Sequence, residues 1–334
     1  MSKHANLSIF VPHAGCPHMC SFCDQRAISG TQKAPTAEEV SQLCDKYLPK
    51  TGDEKGMQIA FFGGSFTAIE PHYRKELLAA AYPFVQNKRA EGIRLSTRPD
   101  AIDEDILRQL SDYGVVAIEL GAQSMDNKIL AMNDRGHTAQ DVIKASDMIK
   151  KAGFELGVQM MPGLYGEEDY RQGALCTSKE LLKLNPDTVR IYPAITIKNT
   201  KLGELYEQGK YIPLTLSEAV DITADLIGMY EKNNVRIIRV GLAADASLEK
   251  NILAGPYHPA FMQLCCAKIY YKSLASKMAE LDKGSYIVTV PRGERSTAAG
   301  QKNANIIALA KDNYYITIQE SDVLSNRDFT IKKV

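Results

Sequence analysis

The feature that most constrains the fold is an alternation of short apolar, β-rich runs with longer stretches that carry apolar residues at helical spacing. Such a βαβα order predicts an α/β protein in which helices pack outside a parallel sheet. About six strand–helix units fit before residue 200, and a closed barrel needs eight. We therefore predict a partial (β/α)6 TIM-like barrel. Its predicted strands are Leu7–Pro12, Gln58–Phe62, Ile93–Thr97, Val115–Leu120, Glu155–Met161 and Thr188–Tyr192.

Helix start signals support the same alternation. Thr36 is followed three residues later by Glu39, which predicts a capping box for a helix that runs to Leu48. Asp103–Leu110 and Thr138–Lys151 carry apolar residues at helical spacing, and the second pattern ends before Gly153.

The pattern changes in the last third of the chain. A helix is predicted at Ser217–Asn233 and a strand at Val235–Val240, and beyond residue 243 the alternation weakens. We predict a core domain over 1–243 and a small C-terminal α+β domain over 244–334. The elements predicted in the second domain are a helix at Ala260–Leu281, strands at Tyr286–Val290, Tyr314–Ile318 and Phe329–Lys332, and an Ala-rich stretch at Asn303–Ala310.

Composition and charge exclude some classes of protein. Lys+Arg and Asp+Glu both number 40 in 334 residues, so no overall basic character points to nucleic acid. No apolar run approaches the roughly 20 residues of a membrane span, and the N-terminus lacks the pattern of a signal peptide. We expect a cytoplasmic protein that does not bind a membrane.

Three of the seven cysteines fall within eight residues, as Cys16-x3-Cys20-x2-Cys23, directly after the first predicted strand. This crowding differs from a secreted disulfide framework and is typical of a metal site in a reducing compartment. Thiolates are soft ligands that suit Fe–S clusters, Zn or Cu(I). In a four-iron cubane, three cysteines leave one iron open to another ligand.

Two other interpretations of the cysteines remain open. A structural zinc site needs four protein ligands, and His13 or His18 lies near enough in sequence to supply one. The grouping can also arise by chance. Cys44, Cys176, Cys265 and Cys266 are predicted to be small core residues.

Several ordered segments carry a resemblance to a known family: GCPHMCSFC, FFGGSF, STRPD, ELGAQS, DRGHT, MPGL and RIYPAITIKNTKLGELYEQGKY. Over roughly residues 7–240 the chain resembles the radical S-adenosylmethionine (SAM) superfamily, and most of all the radical SAM domain of the Elongator catalytic subunit. It is similar, more distantly, to oxygen-independent coproporphyrinogen oxidase. The C-terminal part differs from Elongator, and we expect no acetyltransferase domain.

The resemblance implies a [4Fe–4S] cluster on Cys16, Cys20 and Cys23, with SAM bound to the open iron. In this family the reduced cluster cleaves SAM and yields a 5′-deoxyadenosyl radical. The turn Gly63-Gly64-Ser65 matches the one that meets the methionyl amino group, although Ser65 replaces the usual acidic residue.

Further cofactor contacts are implied at the ends of the later strands. Gln123 matches the ligand of the ribose hydroxyls, and Arg135 matches the partner of the SAM carboxylate. The other implied contacts are Ser96, Gln159, and the aromatic residues Phe10 and Phe22. Arg98 resembles a residue of the family's strand-end turn, and it could equally be a surface residue that forms an ion pair. No catalytic side chain is predicted.

Three functions remain open. The first is a radical SAM enzyme that modifies tRNA or another RNA. The second is a radical SAM enzyme for a small, coproporphyrinogen-like molecule. The third is a non-catalytic Fe–S or Zn protein. For either enzyme, we expect an electron donor such as flavodoxin or ferredoxin.

Overall fold

The computed structural model of the protein describes residues 5–12, 16, 19–24, 33–50, 56–242 and 246–334. The candidate zinc ligands His13 and His18 lie outside the described residues. The chain divides into two compact units: Met1–Leu214 with Tyr230–Pro256, and Thr215–Met229 with Tyr257–Val334. The domain boundary at residue 243 stays a prediction.

The first unit is built on a seven-stranded sheet in which every neighbouring pair is parallel. Its strands are β1 (Ala5–Val11), β2 (Met57–Gly63), β3 (Ile93–Thr97), β4 (Val115–Gln123), β5 (Glu155–Met160), β6 (Thr188–Ile191) and β8 (Arg236–Val240). They follow one another in chain order, with β1 and β8 at the two edges. The predicted partial barrel is confirmed, and the strand predicted after residue 234 is its seventh. A separate antiparallel pair consists of β7 (Thr196–Ile197) and β9 (Ile252–Ala254).

Helices alternate with these strands, as a parallel sheet requires. They are α1 (Ala37–Tyr47), α2 (Pro71–Gln86), α3 (Glu104–Asp112), α4 (Asn127–Met132), α5 (Ala139–Lys151), α6 (Tyr170–Leu182), α7 (Lys201–Glu207), α8 (Leu216–Lys232) and α9 (Ala246–Asn251). Thr36 forms the predicted capping box with Glu39, and Thr138 forms a second one at α5. Among the described residues, no helix is long and apolar enough to cross a membrane.

The core of the first unit lies on the barrel strands. Ile59, Leu95, Ile118 and Leu120 are fully buried because helices cover the outer face while side chains fill the inner one. Burial of each such side chain stabilises the fold by about 1.5–3 kcal/mol. These continuous apolar runs are why the strands could be located in the sequence.

Strand β4 extends three residues beyond its predicted end. Gly121 pairs with Gln159 and Gln123 pairs with Met160, so the register shifts between these two pairs. Gln123 has φ +66°, a left-handed conformation that is uncommon for a residue with a side chain. The irregularity turns the end of β4 and directs the Gln123 amide toward the cavity described below.

The second unit contains a three-stranded sheet of order β11-β10-β12, in which β10 pairs parallel with β11 and antiparallel with β12. Its elements are most of α8, then α10 (Phe261–Met278), β10 (Gly284–Pro291), α11 (Arg295–Ala299), α12 (Ala304–Lys311), β11 (Tyr314–Ser321) and β12 (Thr330–Lys333). Tyr270 and Leu274 of α10 pack in one buried cluster with Val288 and Ile316 of the sheet. The predicted small α+β arrangement at the C-terminal end is confirmed.

Candidate metal and cofactor site

A cavity of about 420 Å³ opens at the carboxyl ends of the parallel strands in the first unit. Active sites of α/β barrels lie at this end, where the loops that follow the strands meet. All twelve residues predicted to bind metal or cofactor line this one cavity. They are Phe10, Cys16, Cys20, Phe22, Cys23, Gly63, Gly64, Ser65, Ser96, Gln123, Arg135 and Gln159.

The segment that carries Cys20 and Cys23 is fixed to distant parts of the chain. The backbone N–H of Ser21 donates to the carbonyl of Asn133, and the Ser21 hydroxyl donates to the Asn133 side chain at 2.8 Å. The Leu202 N–H at the start of α7 donates to the Ser21 carbonyl at 2.7 Å. Three contacts at one buried serine therefore hold the two cysteines at the rim of the cavity.

The electrostatics at the cysteines suit a bound cationic group. The pKa of the Cys23 thiol is raised to about 12, mainly by burial and in part by the neighbouring Cys20 and Cys16. Burial also raises the pKa of Cys16, whereas a hydrogen bond from the Ser65 backbone N–H lowers it. Clustered, buried thiols ionise readily only when a metal neutralises them, so these residues fit a thiolate-bound metal centre.

The arrangement of the thiols bears on the kind of metal centre. Within the described ranges, no three His, Cys, Asp or Glu side chains converge as the ligands of a single ion do. Cysteines of a cubane cluster bind different irons, so they need only border the same space. The three cysteines meet this condition, and none forms a disulfide.

The buried side chain of Arg135 lies against the cysteines. Its Nη1 donates to the Cys20 sulfur at 3.0 Å, and its Nη2 donates to the Gly121 carbonyl at 2.7 Å. Its Nε has no hydrogen-bond partner among the described residues. The guanidinium carbon lies 5.9 Å from the centre of the Phe22 ring. A fixed guanidinium beside the thiols is suited to bind a carboxylate at the cavity wall.

The Gly63-Gly64-Ser65 turn brings backbone close to the cysteines. Gly63 has φ +114°, and a Cβ there would lie 2.8 Å from the Val11 carbonyl oxygen, so only glycine fits. The hydroxyl of Ser65 is bound to Thr97 Oγ1 at 2.8 Å and accepts the Arg98 N–H at 3.1 Å. The Ser65 hydroxyl is thus engaged within the protein, while its backbone N–H serves Cys16.

Gln123 and Gln159, two residues predicted to bind SAM, are hydrogen-bonded to each other. The side-chain amide of Gln159 donates to the Gln123 carbonyl oxygen at 3.1 Å, which links the ends of β5 and β4. Gln123 is only 5% exposed. The Gln123 amide nitrogen and the remaining polar atoms of Gln159 stay available to hydroxyl groups of a ligand.

The other four cysteines were all predicted to be core residues but differ in burial, and Cys266 is only partly buried. Cys44 and Cys265 are fully buried, as predicted for core residues. Cys176 is exposed, and there the prediction was wrong. It lies on α6, whose buried face is formed by Ala174, Thr177 and Leu181, so position 176 is directed away from the core.

Arg98 is a site residue whose environment the sequence did not establish. It is 5% exposed rather than a surface residue, and it lines the cavity. Its Nε and Nη2 bind the carboxylate of Asp100 at 2.9 and 2.7 Å. Its Nη1 is buried without a partner among the described residues. The single local signal was Asp100 two positions later.

A buried ionic network lies inside the barrel and was also missed. Glu119 on β4 pairs with Arg94 on β3 at 3.1 Å and with Arg190 on β6 at 3.0 Å. Arg94 also pairs with Glu155 at 2.6 Å, and Arg190 donates to the Tyr192 hydroxyl at 3.2 Å. Glu119, Arg190 and Tyr192 line the cavity. The available signal was the isolated charged residues within otherwise apolar strands.

Two segments of the chain match known protein families. Residues 10–171 match the sequence pattern of the radical SAM superfamily, and residues 186–271 match that of a radical SAM C-terminal domain. An uncharacterized protein of Methanocaldococcus jannaschii is 31% identical over 226 residues, which cover 64% of this chain and 68% of that protein.

Two named relatives share part of their length with this chain. The tRNA uridine(34) acetyltransferase of Methanocaldococcus infernus is 27% identical over 66% of this chain and 49% of its own. Human Elongator complex protein 3 is 27% identical over 58% of this chain and 38% of its own. The chain thus spans about half or less of the length of these two relatives.

Solved structures agree on the fold. The archaeal Elp3 of Methanocaldococcus infernus superposes with a TM-score of 0.61 at 23% identity, over 82% of this chain and 63% of that one. The coproporphyrinogen III oxidase of Escherichia coli superposes with a TM-score of 0.50 at 16% identity, over 68% of this chain and 52% of that one.

Proposed function

Because the chain belongs to the radical SAM superfamily, we propose that it is an enzyme that holds a [4Fe–4S] cluster on Cys16, Cys20 and Cys23 and cleaves SAM reductively. When bound, the cluster would supply one electron for reductive cleavage of SAM at its sulfonium, and the radical chemistry that this starts would remove hydrogen from the substrate. The electron comes from a low-potential donor such as flavodoxin or ferredoxin. The proposed location is the cytoplasm.

One observation carries the proposal: the twelve residues expected to bind metal or cofactor, which lie at separate places between Phe10 and Gln159, border a single cavity. They come from five strand ends and from the loops that follow them. Chance occurrence of a cysteine motif would not bring these particular side chains together. The cavity volume of about 420 Å³ is within the usual range of about 300–1,000 Å³ for small-molecule sites.

The chain's own groups have distinct proposed roles. Arg135 binds the SAM carboxylate while its Nη1 stays beside Cys20, so a single residue relates cofactor to cluster. The joined amides of Gln123 and Gln159 bind the ribose hydroxyls. Gly63 and Gly64 let backbone approach the methionyl amino group. Phe10 and Phe22 cover apolar parts of the cofactor and exclude water.

For the substrate, we propose tRNA or another RNA. The support is the sequence relationship to proteins named tRNA uridine(34) acetyltransferase and Elongator complex protein 3. Because the matched segment is 49% of the archaeal enzyme, acetyl transfer is not part of this proposal. The logarithm of the RNA-binding constant should fall linearly with the logarithm of the salt concentration. The reason is that protein binding releases cations that are bound to the RNA phosphates. Gel shifts with bulk tRNA at several salt concentrations measure this slope.

A small-molecule substrate is the second candidate, and the cavity itself favours it. Beyond the predicted SAM contacts, the wall includes Tyr192, Ile195, Arg239 and Leu242. This combination of apolar surface with a guanidinium suits a compact anionic molecule such as a porphyrin-like acid. Failure to bind tRNA at low salt, together with protection of the cluster by such an acid, would favour this candidate.

The decisive experiment is the production of 5′-deoxyadenosine. Anaerobically reconstituted protein, reduced with dithionite and supplied with SAM, should release 5′-deoxyadenosine and methionine in equal amounts. A non-catalytic Fe–S or zinc protein would release neither and would not bind SAM. Iron-loaded protein that leaves SAM intact under these conditions overturns the proposed function.

A further inference from the structure

Arg98 has a buried donor with no partner. The residue follows β3 directly, is 5% exposed and lines the cavity. Asp100 occupies two of the three guanidinium nitrogens, whereas Nη1 lacks a hydrogen-bond partner among the described residues. A buried donor at a charged group destabilises the fold when it stays unpaired. The Arg98 Nη1 is therefore placed for a group that is not part of the described protein.

Two links place Arg98 at the cysteine side of the cavity. The backbone N–H of Arg98 donates to Ser65 Oγ at 3.1 Å, and the backbone N–H of Ser65 donates to the Cys16 sulfur.

The other arginines that line the cavity all bind protein groups: Arg239 donates to the Gly241 carbonyl, and Arg135 keeps only its Nε without a partner among the described residues. Arg135 uses Nη1 for Cys20 and Nη2 for Gly121, and its proposed partner is the SAM carboxylate. Arg190 is paired with Glu119. Arg98 binds Asp100 through Nε and Nη2, and its Nη1 is buried in the cavity wall without a partner among the described residues.

We propose that Arg98 is a positioning residue that donates an N–H···S hydrogen bond to the cluster near Cys16, and that the Arg98–Asp100 pair sets the reduction potential of the cluster. The inference rests on the proposed function, because it requires the cluster. Reduction adds one negative charge to the cluster. A neighbouring cation and an N–H donor stabilise that added charge, and a neighbouring carboxylate opposes it.

Opposite shifts are expected when the two members of the pair are changed. Arg98→Gln removes the cation and leaves Asp100 uncompensated, so the cluster becomes harder to reduce. Asp100→Asn leaves the cation uncompensated, so the cluster becomes easier to reduce. For each variant, we expect the ratio of reduced to oxidised cluster at a fixed solution potential to change about tenfold, which is about 59 mV for a one-electron couple.

The measurement is an EPR-monitored redox titration of the anaerobically reconstituted full chain, without SAM. Arg98→Lys keeps the charge and loses the fork, so its potential should lie between those of wild type and Arg98→Gln. Arg89 and Asp45 are the matched control, because they form an Arg–Asp pair at 2.9 Å and do not line the cavity. Arg89→Gln and Asp45→Asn should leave the potential unchanged.

Each outcome decides the proposal. Opposite shifts in Arg98→Gln and Asp100→Asn support it, and equal potentials in wild type and both variants overturn it. Shifts in the same direction also overturn it, because they indicate general disturbance of the site. If Arg98→Gln loses the cluster, Asp100→Asn must still raise the potential and Arg98→Lys must lower it. Wild-type protein that takes up no iron refutes the proposed function itself.

Discussion

The Nη1 nitrogen of Arg135 lies 3.0 Å from the sulfur of Cys20, although 115 positions separate the two residues in the chain. One of them was predicted to bind the cluster and the other the carboxylate of SAM. A single hydrogen bond therefore joins the residue expected to bind SAM to a residue expected to bind the cluster. This proximity motivates the first two predictions.

The first prediction concerns iron. Replacement of Cys16, Cys20 or Cys23 by Ala should each abolish the cluster, because a cubane that already has one open iron has no ligand to spare. Wild-type protein should carry about four irons with matching sulfide after anaerobic reconstitution. Iron and sulfide assays with the visible spectrum measure both.

The matched controls are Cys176→Ala and Cys44→Ala. Cys176 is exposed and Cys44 is fully buried, and neither lines the cavity. Both variants should retain wild-type iron. One equivalent of zinc without iron in anaerobically purified wild type would contradict the cluster assignment.

The second prediction concerns SAM. Arg135→Ala should weaken SAM binding by roughly 1.5–3 kcal/mol, the range for a hydrogen bond to a charged group. Gln123→Ala should weaken it less, since an amide–hydroxyl bond is neutral. Anaerobic calorimetric titration of the cluster-loaded protein gives both values, and the cluster spectrum should survive each change.

Arg108→Ala is the control for the loss of a positive charge in Arg135→Ala. Its side chain is 71% exposed on α3, so Arg108→Ala removes the same charge far from the site. SAM affinity in that variant should equal that of wild type. If Arg135→Ala and Gln123→Ala also bind SAM like wild type, the proposed cofactor contacts are wrong, whatever happens to the cluster.

The third prediction concerns the ionic network inside the barrel. Glu119→Ala leaves Arg94 and Arg190 without their shared counter-charge, and breaking a buried pair in this way costs about 3–5 kcal/mol. The free energy of unfolding should fall by that amount in urea denaturation of the metal-free protein. Asp105→Ala breaks an exposed pair with Arg108 and should cost at most about 1 kcal/mol. Equal stability of the two variants would show that the network does not stabilise the fold.

The fourth prediction concerns pH. The pKa of Glu167 is raised from 4.5 to about 8, mainly by burial and in part by Asp126 and Asp169, while a hydrogen bond from the Gly163 backbone opposes the rise. Between these two pH values the folded chain keeps a proton that the unfolded chain releases. The free energy of unfolding therefore decreases as pH rises from about 4.5 to about 8.

Glu167→Gln should remove this part of the pH dependence, because the amide does not ionise. Urea midpoints at about pH 5 and about pH 8 should then differ less than in wild type. The neighbouring Glu168 has a 91% exposed side chain, and Glu168→Gln should keep the wild-type slope. A Glu167→Gln variant with the full wild-type slope would contradict the raised pKa.

Much of the barrel was predictable because its signal is local. The strand at Ile93–Thr97 has its predicted bounds, and the capping box of Thr36 and Glu39 is confirmed. Strands buried on both faces need continuous apolar runs, and helix starts need specific hydrogen-bond acceptors, so both appear directly in the sequence. The cysteine spacing is equally local, whereas the other residues of the cavity could be named in advance because the chain resembles the radical SAM superfamily.

Other properties depended on which residues the barrel brings together. Whether Arg94 and Arg190 face water or a buried Glu119 depends on side chains from three separate strands. The burial of Arg98, the exposure of Cys176 and the left-handed turn at Gln123 likewise arise from packing and register. The sequence by itself determined the order of the strands and the identity of the chemical groups. Only the tertiary structure decided which charges are buried and paired, because the free energy of a buried charge depends on partners that are distant in the chain.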